Sequence, residues 1–478
     1  MSSLKQKTAA GLKWSVFERF SSQGIGFVIS IIIARILSPS DYGIIGMITI
    51  FTGISGAFIG AGFSTALIRK QDRTDTDLST VFYYNLVLSL FFYFVLFFCA
   101  PLIARFYNTP ALTPITRIVS LNMVIGAIGT IQSIKLQIAI DFKTQTKISL
   151  ISLLITGTFG ITMAYSGFGV WALVYQQLVS TIFSTGLLWY FVRWKPKWIF
   201  SMASFNELFG FGSKLMISEL LNTIYSNLYQ VVIGKKFSTA DLGFFTRAKG
   251  LIELPSSNIT QVLQRVTFPV LSEIQHDTKR LADSYRKLLK MSAFVIFPLM
   301  MLLCALGEPL IKLLLTEKWL PAVPLMQVLC FSAMFYPIHA INLNLLQVKG
   351  RSDLFLRLEI IKKILITIVL FASAPFGVLA MCYGTIITSV VALIINIYYT
   401  GKLIQIGFFL QAKDILPVML LSFTSGLVAW SPSFISKDSF FQLFAGGILG
   451  TLFFIGFSWL LKFGELNEVK HFLFKKTI

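Results

Sequence analysis

Uninterrupted apolar runs of membrane length constrain this chain more than any other feature. The run VFYYNLVLSLFFYFVLFFCAPLI, from Val81 to Ile103, carries no charged residue, and roughly 20 consecutive apolar residues let a helix cross the hydrocarbon core of a bilayer. Inside that core every backbone N–H and C=O must be satisfied within the protein, which leaves helices and closed barrels as spanning structures. Runs this long select the helix, because a membrane strand needs only about half as many residues. With 55% hydrophobic and 13% charged residues over 478 positions and a mean hydropathy of +0.76, an ordinary soluble domain is excluded. The expectation is an all-α polytopic membrane protein.

Hydropathy places about fourteen transmembrane helices, the first centred near Gly24 and the last near Gly450. The formal charge is +20, yet the Lys and Arg residues sit in short connections such as RKQDR (Arg69 to Arg73), RWKPK (Arg193 to Lys197) and HDTKRLADSYRKLLK (His276 to Lys290). No exposed basic domain is left to serve a nucleic acid. With the N-terminus inside, about 28 of the 41 basic residues fall on the cytoplasmic side, about 8 outside and about 5 at membrane depth. That asymmetry predicts cytoplasmic N- and C-termini. The basic segment MSSLKQKTAAGLKW precedes an apolar run interrupted by Glu18 and Arg19 and lacking a small-residue cleavage site, so it reads as a tail leading into a retained first helix.

Nothing in the sequence assembles a catalytic, cofactor or metal set. Cys99, Cys304, Cys330 and Cys382 lie in or beside apolar runs and read as small core residues, while His276, His339 and His471 are too far apart in sequence to form a ligand motif.

The chain repeats itself. Ser38, Asp41 and Gly43 in ARILSPSDYG recur 200 positions later as Ser238, Asp241 and Gly243 in GKKFSTADLG, and FGVWALVY from Phe168 recurs 208 positions later as FGVLAMCY from Phe376. Two parallel six-helix repeats follow, forming two lobes over residues 1–200 and 201–410 with a path expected between them. Residues 411–478 supply two extra C-terminal helices and a tail. Ser38 with Asp41, and Ser238 with Asp241, are expected to cap the helices they precede, and Gly53, Gly56 and Gly60 to allow close helix packing.

The stretch from Lys214 to Arg265 holds two membrane-length helices that carry charge where most others carry none. Ionised groups at membrane depth are costly and usually face a protein interior or a water-filled cavity. On the eighth span Arg247, Asn258, Gln261 and Arg265 recur at helical spacing beside a stripe of Lys249, Glu253, Ser257, Thr260 and Gln264; on the seventh, Lys214, Ser218, Asn222, Tyr225, Ser226 and Tyr229 share a face, and the first offers Arg19. Arg forks and Lys ammoniums suit a diphosphate, and Asn and Gln suit sugars. The candidate substrate-binding residues are therefore Arg19, Lys214, Asn222, Arg247, Lys249, Asn258, Gln261 and Arg265. No Asp is read deep in a span, which leaves Glu18, Glu219 and Glu253 as ion-coupling candidates. A second reading stays open for all of these: Lys249 with Glu253, Glu18 with Arg19, and Lys214 with Glu219 could neutralise one another, and Lys214, Arg247 and Arg265 could snorkel from helix ends. Pro255 removes a backbone donor in mid-helix and predicts a kink.

The ARILSPSDYG segment, the two halves of six, the two extra helices and the basic inner loops together resemble bacterial polysaccharide flippases of the Wzx and WzxC type, within the multidrug, oligosaccharidyl-lipid and polysaccharide exporter superfamily. The resemblance implies a V-shaped pair of lobes opening alternately to either side of the cell inner membrane. It also implies transfer of an undecaprenyl-diphosphate-linked oligosaccharide, a lipid-linked anionic glycan, to the periplasmic leaflet for cell-surface polysaccharide or lipopolysaccharide biosynthesis. Membrane lipids and other polysaccharide assembly proteins are the implied partners, and no cofactor is. In such proteins cations on the first, second, seventh or eighth helices are thought to meet the headgroup. Here the second helix, GIIGMITIFTGISGAFIGAGFSTALI, has no charge before Arg69, so the role falls to the other three. The alternatives are a drug exporter of the same superfamily and a membrane glycan polymerase or ligase. Five membrane-depth cations against three acids disfavour the first, and short outer connections disfavour the second.

Overall fold

The computed structural model describes residues 2–468 and, within them, the side chains of all but residues 2–13, 16, 61, 265 and 266. Among the described residues all regular structure is helical. Packing divides the chain into two compact units between Gly243 and Phe244. This boundary follows the proximity of backbone segments in space, whereas the division at residues 200 and 410 follows the repeat.

The first unit contains α1 (Ser2–Ile36), α2 (Pro39–Arg69), α3 (Asp75–Phe106), α4 (Leu112–Val119), α5 (Leu121–Ile138), α6 (Phe142–Tyr165), α7 (Val170–Val192) and α8 (Met202–Lys236). Its helix starts are built as the sequence suggests. Asp41 N–H donates to Ser38 Oγ at 3.3 Å while Ser38 N–H donates to the Asp41 carboxylate at 2.9 Å, and Pro39 opens the helix. Thr74 and Asp77 repeat the arrangement for α3. At that end of the unit Leu67, Val81 and Ile131 are fully buried, and Lys70 bridges Asp77 at 3.2 Å and Glu207 at 2.8 Å, tying α2, α3 and α8 together.

Helix α8 packs along α2, and small residues let the backbones meet. A Cβ on Gly62 would stand 2.1 Å from the carbonyl oxygen of Gly212, and one on Gly53 would stand 2.9 Å from Thr223 Cγ2. Nothing lies within 4 Å of a Cβ on Gly56 or Gly60, so of the three expected packing glycines only Gly53 serves that purpose, and Gly62 carries the tightest crossing.

The two copies of the repeated motif also meet. A Cβ on Gly43 would stand 1.8 Å from the carbonyl oxygen of Thr239, and a Cβ on Gly243 would stand 1.9 Å from that of Pro39. Pro39 and Thr239 occupy equivalent places in the two copies. The contact is thus reciprocal, as in an isologous interface between identical parts.

In the second unit α9 (Thr239–Glu273), whose first turn belongs to the first unit, is followed by α10 (Thr278–Ala305), α11 (Gly307–Leu315), α12 (Ala322–Ala333), α13 (Tyr336–Val348), α14 (Ser352–Ser373), α15 (Val378–Ile404), α16 (Phe408–Trp430) and α17 (Ser439–Leu460). Helix α9 continues through Pro255 and Pro269. The last two helices lack a repeat counterpart, and polar contacts tie α16 to the rest of the unit. Arg286 on α10 makes a two-pronged bond to Asp414 on α16 at 2.6 and 2.8 Å, and Lys290 adds a contact at 3.2 Å. Beside them the fully buried Tyr285 hydroxyl lies 2.8 Å from Asn342 Oδ1 and 3.0 Å from Gln411 Oε1, and Thr400 also donates to Asn342.

Ten helices among the described residues are long and apolar enough to cross a membrane by length and composition, which makes this a multi-pass membrane protein. The other four expected spans are helices too, but each is less apolar. Helix α7 carries Gln176 and Gln177, α8 carries Lys214 and Glu219, α9 carries Arg247, Lys249 and Glu253, and α14 carries Arg357, Glu359, Lys362 and Lys363. Two of the ten are interrupted: Leu112–Ile138 breaks at Ser120 between α4 and α5, and Ala322–Val348 breaks at Met334 and Phe335 between α12 and α13, just before Pro337.

Candidate functional site

The structure divides the sequence-derived candidates between the two units. Glu18, Arg19, Lys214, Glu219 and Asn222 lie in the first, and Arg247, Lys249, Glu253, Asn258, Gln261 and Arg265 in the second.

In the first unit α1 packs on α6, where Gly157 leaves room for Ile29. This packing half-buries Glu18 and Arg19, with Ser149 of α6 within hydrogen-bonding reach of the Glu18 carboxyl. On α8 the face carrying Leu208, Gly212, Val232 and Ile233 is buried, while Lys214, Ser218, Glu219, Asn222 and Ser226 are exposed. Glycine contacts fix α8 on α2, so the polar face is presented by a rigidly seated helix. Tyr229, expected on the same face, is buried instead. Lys214 and Glu219 form no ion pair with each other among the described residues.

In the second unit α9 buries Phe245, Ala248, Leu251 and Ile252 and leaves Glu253, Gln261 and Gln264 exposed. Ser256 and Thr260 are buried and return their hydroxyl protons to the carbonyls of Ile252 and Ser256, at 3.0 and 2.7 Å. Asn258 Nδ2 likewise donates to the Leu254 carbonyl at 2.7 Å. Arg247 is half-buried. Lys249 and Glu253, one turn apart, form an ion pair at 3.5 Å, so the neutralising alternative holds for that pair. The Arg265 side chain lies outside the described residues.

The sequence reading missed a second polar group. Glu359 on α14 pairs with Lys362, and Asp414 sits on α16 with its side chain 5% exposed; neither acid is in the candidate set read from the sequence. His339 on α13 contacts Ser389 Oγ at 3.1 Å through Nε2 and Asn396 Nδ2 at 3.2 Å through Nδ1. Its signal in the sequence was a titratable residue two positions after Pro337, in the middle of an apolar run. Among the described residues no group of three or more His, Cys, Asp or Glu side chains could hold a metal ion.

This helix arrangement is similar to that of the lipid II flippase MurJ in its inward closed conformation, with a TM-score of 0.77 at 16% identity over 94% of this chain and 98% of that one. The class is thus an all-α polytopic membrane protein with a fold similar to that of MurJ. Residues 32–324, more than half the chain, match the polysaccharide biosynthesis protein family, and the chain belongs to that family. It is similar to the teichuronic acid biosynthesis protein TuaB of Bacillus subtilis, at 26% identity over 91% of this chain and 90% of that protein. It is also similar to the lipopolysaccharide biosynthesis protein WzxC of Escherichia coli, at 23% identity over 94% and 89% of the two chains.

Proposed function

We propose that this protein is a transporter that moves an undecaprenyl-diphosphate-linked oligosaccharide from the cytoplasmic to the periplasmic leaflet of the inner membrane by alternating access, without making or breaking covalent bonds. The observation that carries the reading is the polar, cation-bearing surface of α8 and α9 in a chain whose other long helices are mostly apolar. The family assignment, the names of TuaB and WzxC, and the MurJ-like fold support it. In this reading the chain crosses the membrane fourteen times with both termini in the cytoplasm. The repeats over residues 1–200 and 201–410 work as two lobes, and residues 411–478 are an addition to them.

Arg19, Lys214, Arg247, Lys249 and Arg265 attract the diphosphate, and Asn222, Asn258 and Gln261 offer hydrogen bonds to sugar. The pair at Lys249 and Glu253 gives this a mechanism: an arriving phosphate competes with Glu253 for the Lys249 ammonium, so the cation is held in place until the cargo replaces its partner. Glu18 and Glu219 are retained as coupling acids.

The test is leaflet transfer of a fluorescent lipid-diphosphate oligosaccharide in proteoliposomes. Arg247→Ala with Lys249→Ala is expected to lower transfer at least about tenfold, the loss of one or two charge-assisted bonds, while insertion is unchanged. Undiminished transfer would remove both residues from the mechanism, and glycosidic bond formation without transfer would replace the transporter by a polymerase or ligase.

A further inference from the structure

The break between α12 and α13 falls at the middle of the 27-residue span Ala322–Val348, and broken helices at membrane depth persist where protein or a cavity satisfies their polar groups. His339 stands on the first turn of α13 after this break. Its surroundings fix the state of its ring. The Ser389 hydroxyl donates to the Ser332 carbonyl at 3.3 Å, which leaves Ser389 Oγ to accept from His339 Nε2. Asn396 Nδ2 can only donate, so His339 Nδ1 accepts at 3.2 Å. With the Asn396 amide in this orientation the imidazole is neutral with its proton on Nε2. One acceptor is left over: Asn396 is fully buried, and among the described residues nothing donates to its Oδ1. A buried amide oxygen in that state costs about 1–3 kcal/mol.

That orphan has a use. A proton added at Nδ1 would face the Asn396 NH2 group, donor against donor, but a half-turn of the amide would bring Oδ1 round to accept it. The same heavy atoms thus accommodate two protonation states. The groups that face the ring are few. From α14 comes Lys362, close enough to act on the ring electrostatically and paired with Glu359. From α15 come Ser389 and Asn396, neither of them titratable. From α10, Phe297 packs on Phe335 at the break, and on α13 itself Tyr336 lies in the fields of Glu253 and Glu359. An imidazolium beside the Lys362 ammonium is unfavourable, so a bound proton and Lys362 in its present place oppose each other.

We propose that His339 is a proton-binding site, in which uptake of a proton from water at Nδ1 turns the Asn396 amide and displaces Lys362, changing the contacts among α13, α14 and α15. The site forms a two-state element that a proton gradient can bias; only its use in a transport cycle rests on the function proposed above.

The test is 15N NMR of histidine-labelled protein in lipid nanodiscs between about pH 3 and pH 8, with the His339 signals assigned by their loss in His339→Gln. The expected course is a neutral ring protonated on Nε2 at the upper end that becomes an imidazolium as pH falls. Lys362→Gln removes the opposing ammonium and Asn396→Asp supplies a fixed acceptor; each is expected to move the midpoint upward by about one pH unit or more. Either variant suffices if the other fails to fold. A ring that stays neutral at the lower end in wild type and variant alike, or a midpoint that neither variant moves, overturns the proposal. No glycan is present in this measurement, so failed transfer in proteoliposomes would count against the transport reading alone.

Discussion

Single residues in this protein act mostly through charge placed where water is scarce. Asp414, 5% exposed at its side chain, neutralises both Arg286 and Lys290. Asp414→Asn leaves two half-exposed cations facing a neutral amide, and allowing for the solvent that reaches them the loss is about 1–3 kcal/mol. It should appear as a lower thermal unfolding midpoint in detergent; an unchanged midpoint would show that the pair is idle. The ion pair at Lys249 and Glu253 was legible in the sequence because its partners lie one helical turn apart. The bridge from Arg286 to Asp414 was not, since 128 positions separate the two and only packing brings them together. His339 was hidden for a similar reason. A lone histidine in an apolar run carries no motif, and its partners Ser389 and Asn396 come from another helix.

At the scale of helices, glycine placement decides which pairs can touch. Gly62 meets the Gly212 backbone while Gly56 meets nothing within 4 Å, although both stand in the same glycine-rich run. Gly62→Val should force α2 and α8 apart and sharply reduce the yield of monodisperse protein on size-exclusion chromatography. Gly56→Ala should be tolerated, and by helix propensity could raise stability by up to about 1 kcal/mol. Equal behaviour of the two variants would contradict the described crossing. The pattern showed that small residues lined α2, but the period of a helix cannot tell which of them faces a partner. The capping boxes at Ser38 and Ser238 were easier to anticipate because each is a local arrangement of four residues.

For the whole molecule, topology follows from where the basic connections lie. Introduced cysteines at Lys195 and Ser166 should label from opposite sides of the membrane, the first only from the cytoplasmic face and the second only from outside, when a membrane-impermeant maleimide is applied to intact cells and to inverted vesicles. Labelling of both from one side would remove the orientation and with it the direction of transport. Hydropathy and charge asymmetry made the helical, multi-pass character plain from the sequence. They could not show that α16 is tied to α10 by buried polar contacts, because nothing in an apolar run announces which helix it will pack against.

The reciprocal contact of Gly43 with Thr239 and of Gly243 with Pro39 bears on which mutations can repair one another. In each case the atom that would obstruct a new side chain is a main-chain carbonyl oxygen, and every amino acid carries one. A damaging change at either glycine therefore has no local suppressor: no replacement at Pro39 or Thr239 clears the space. Revertants selected from Gly43→Ala should either restore glycine or map to distant positions that let the helices shift.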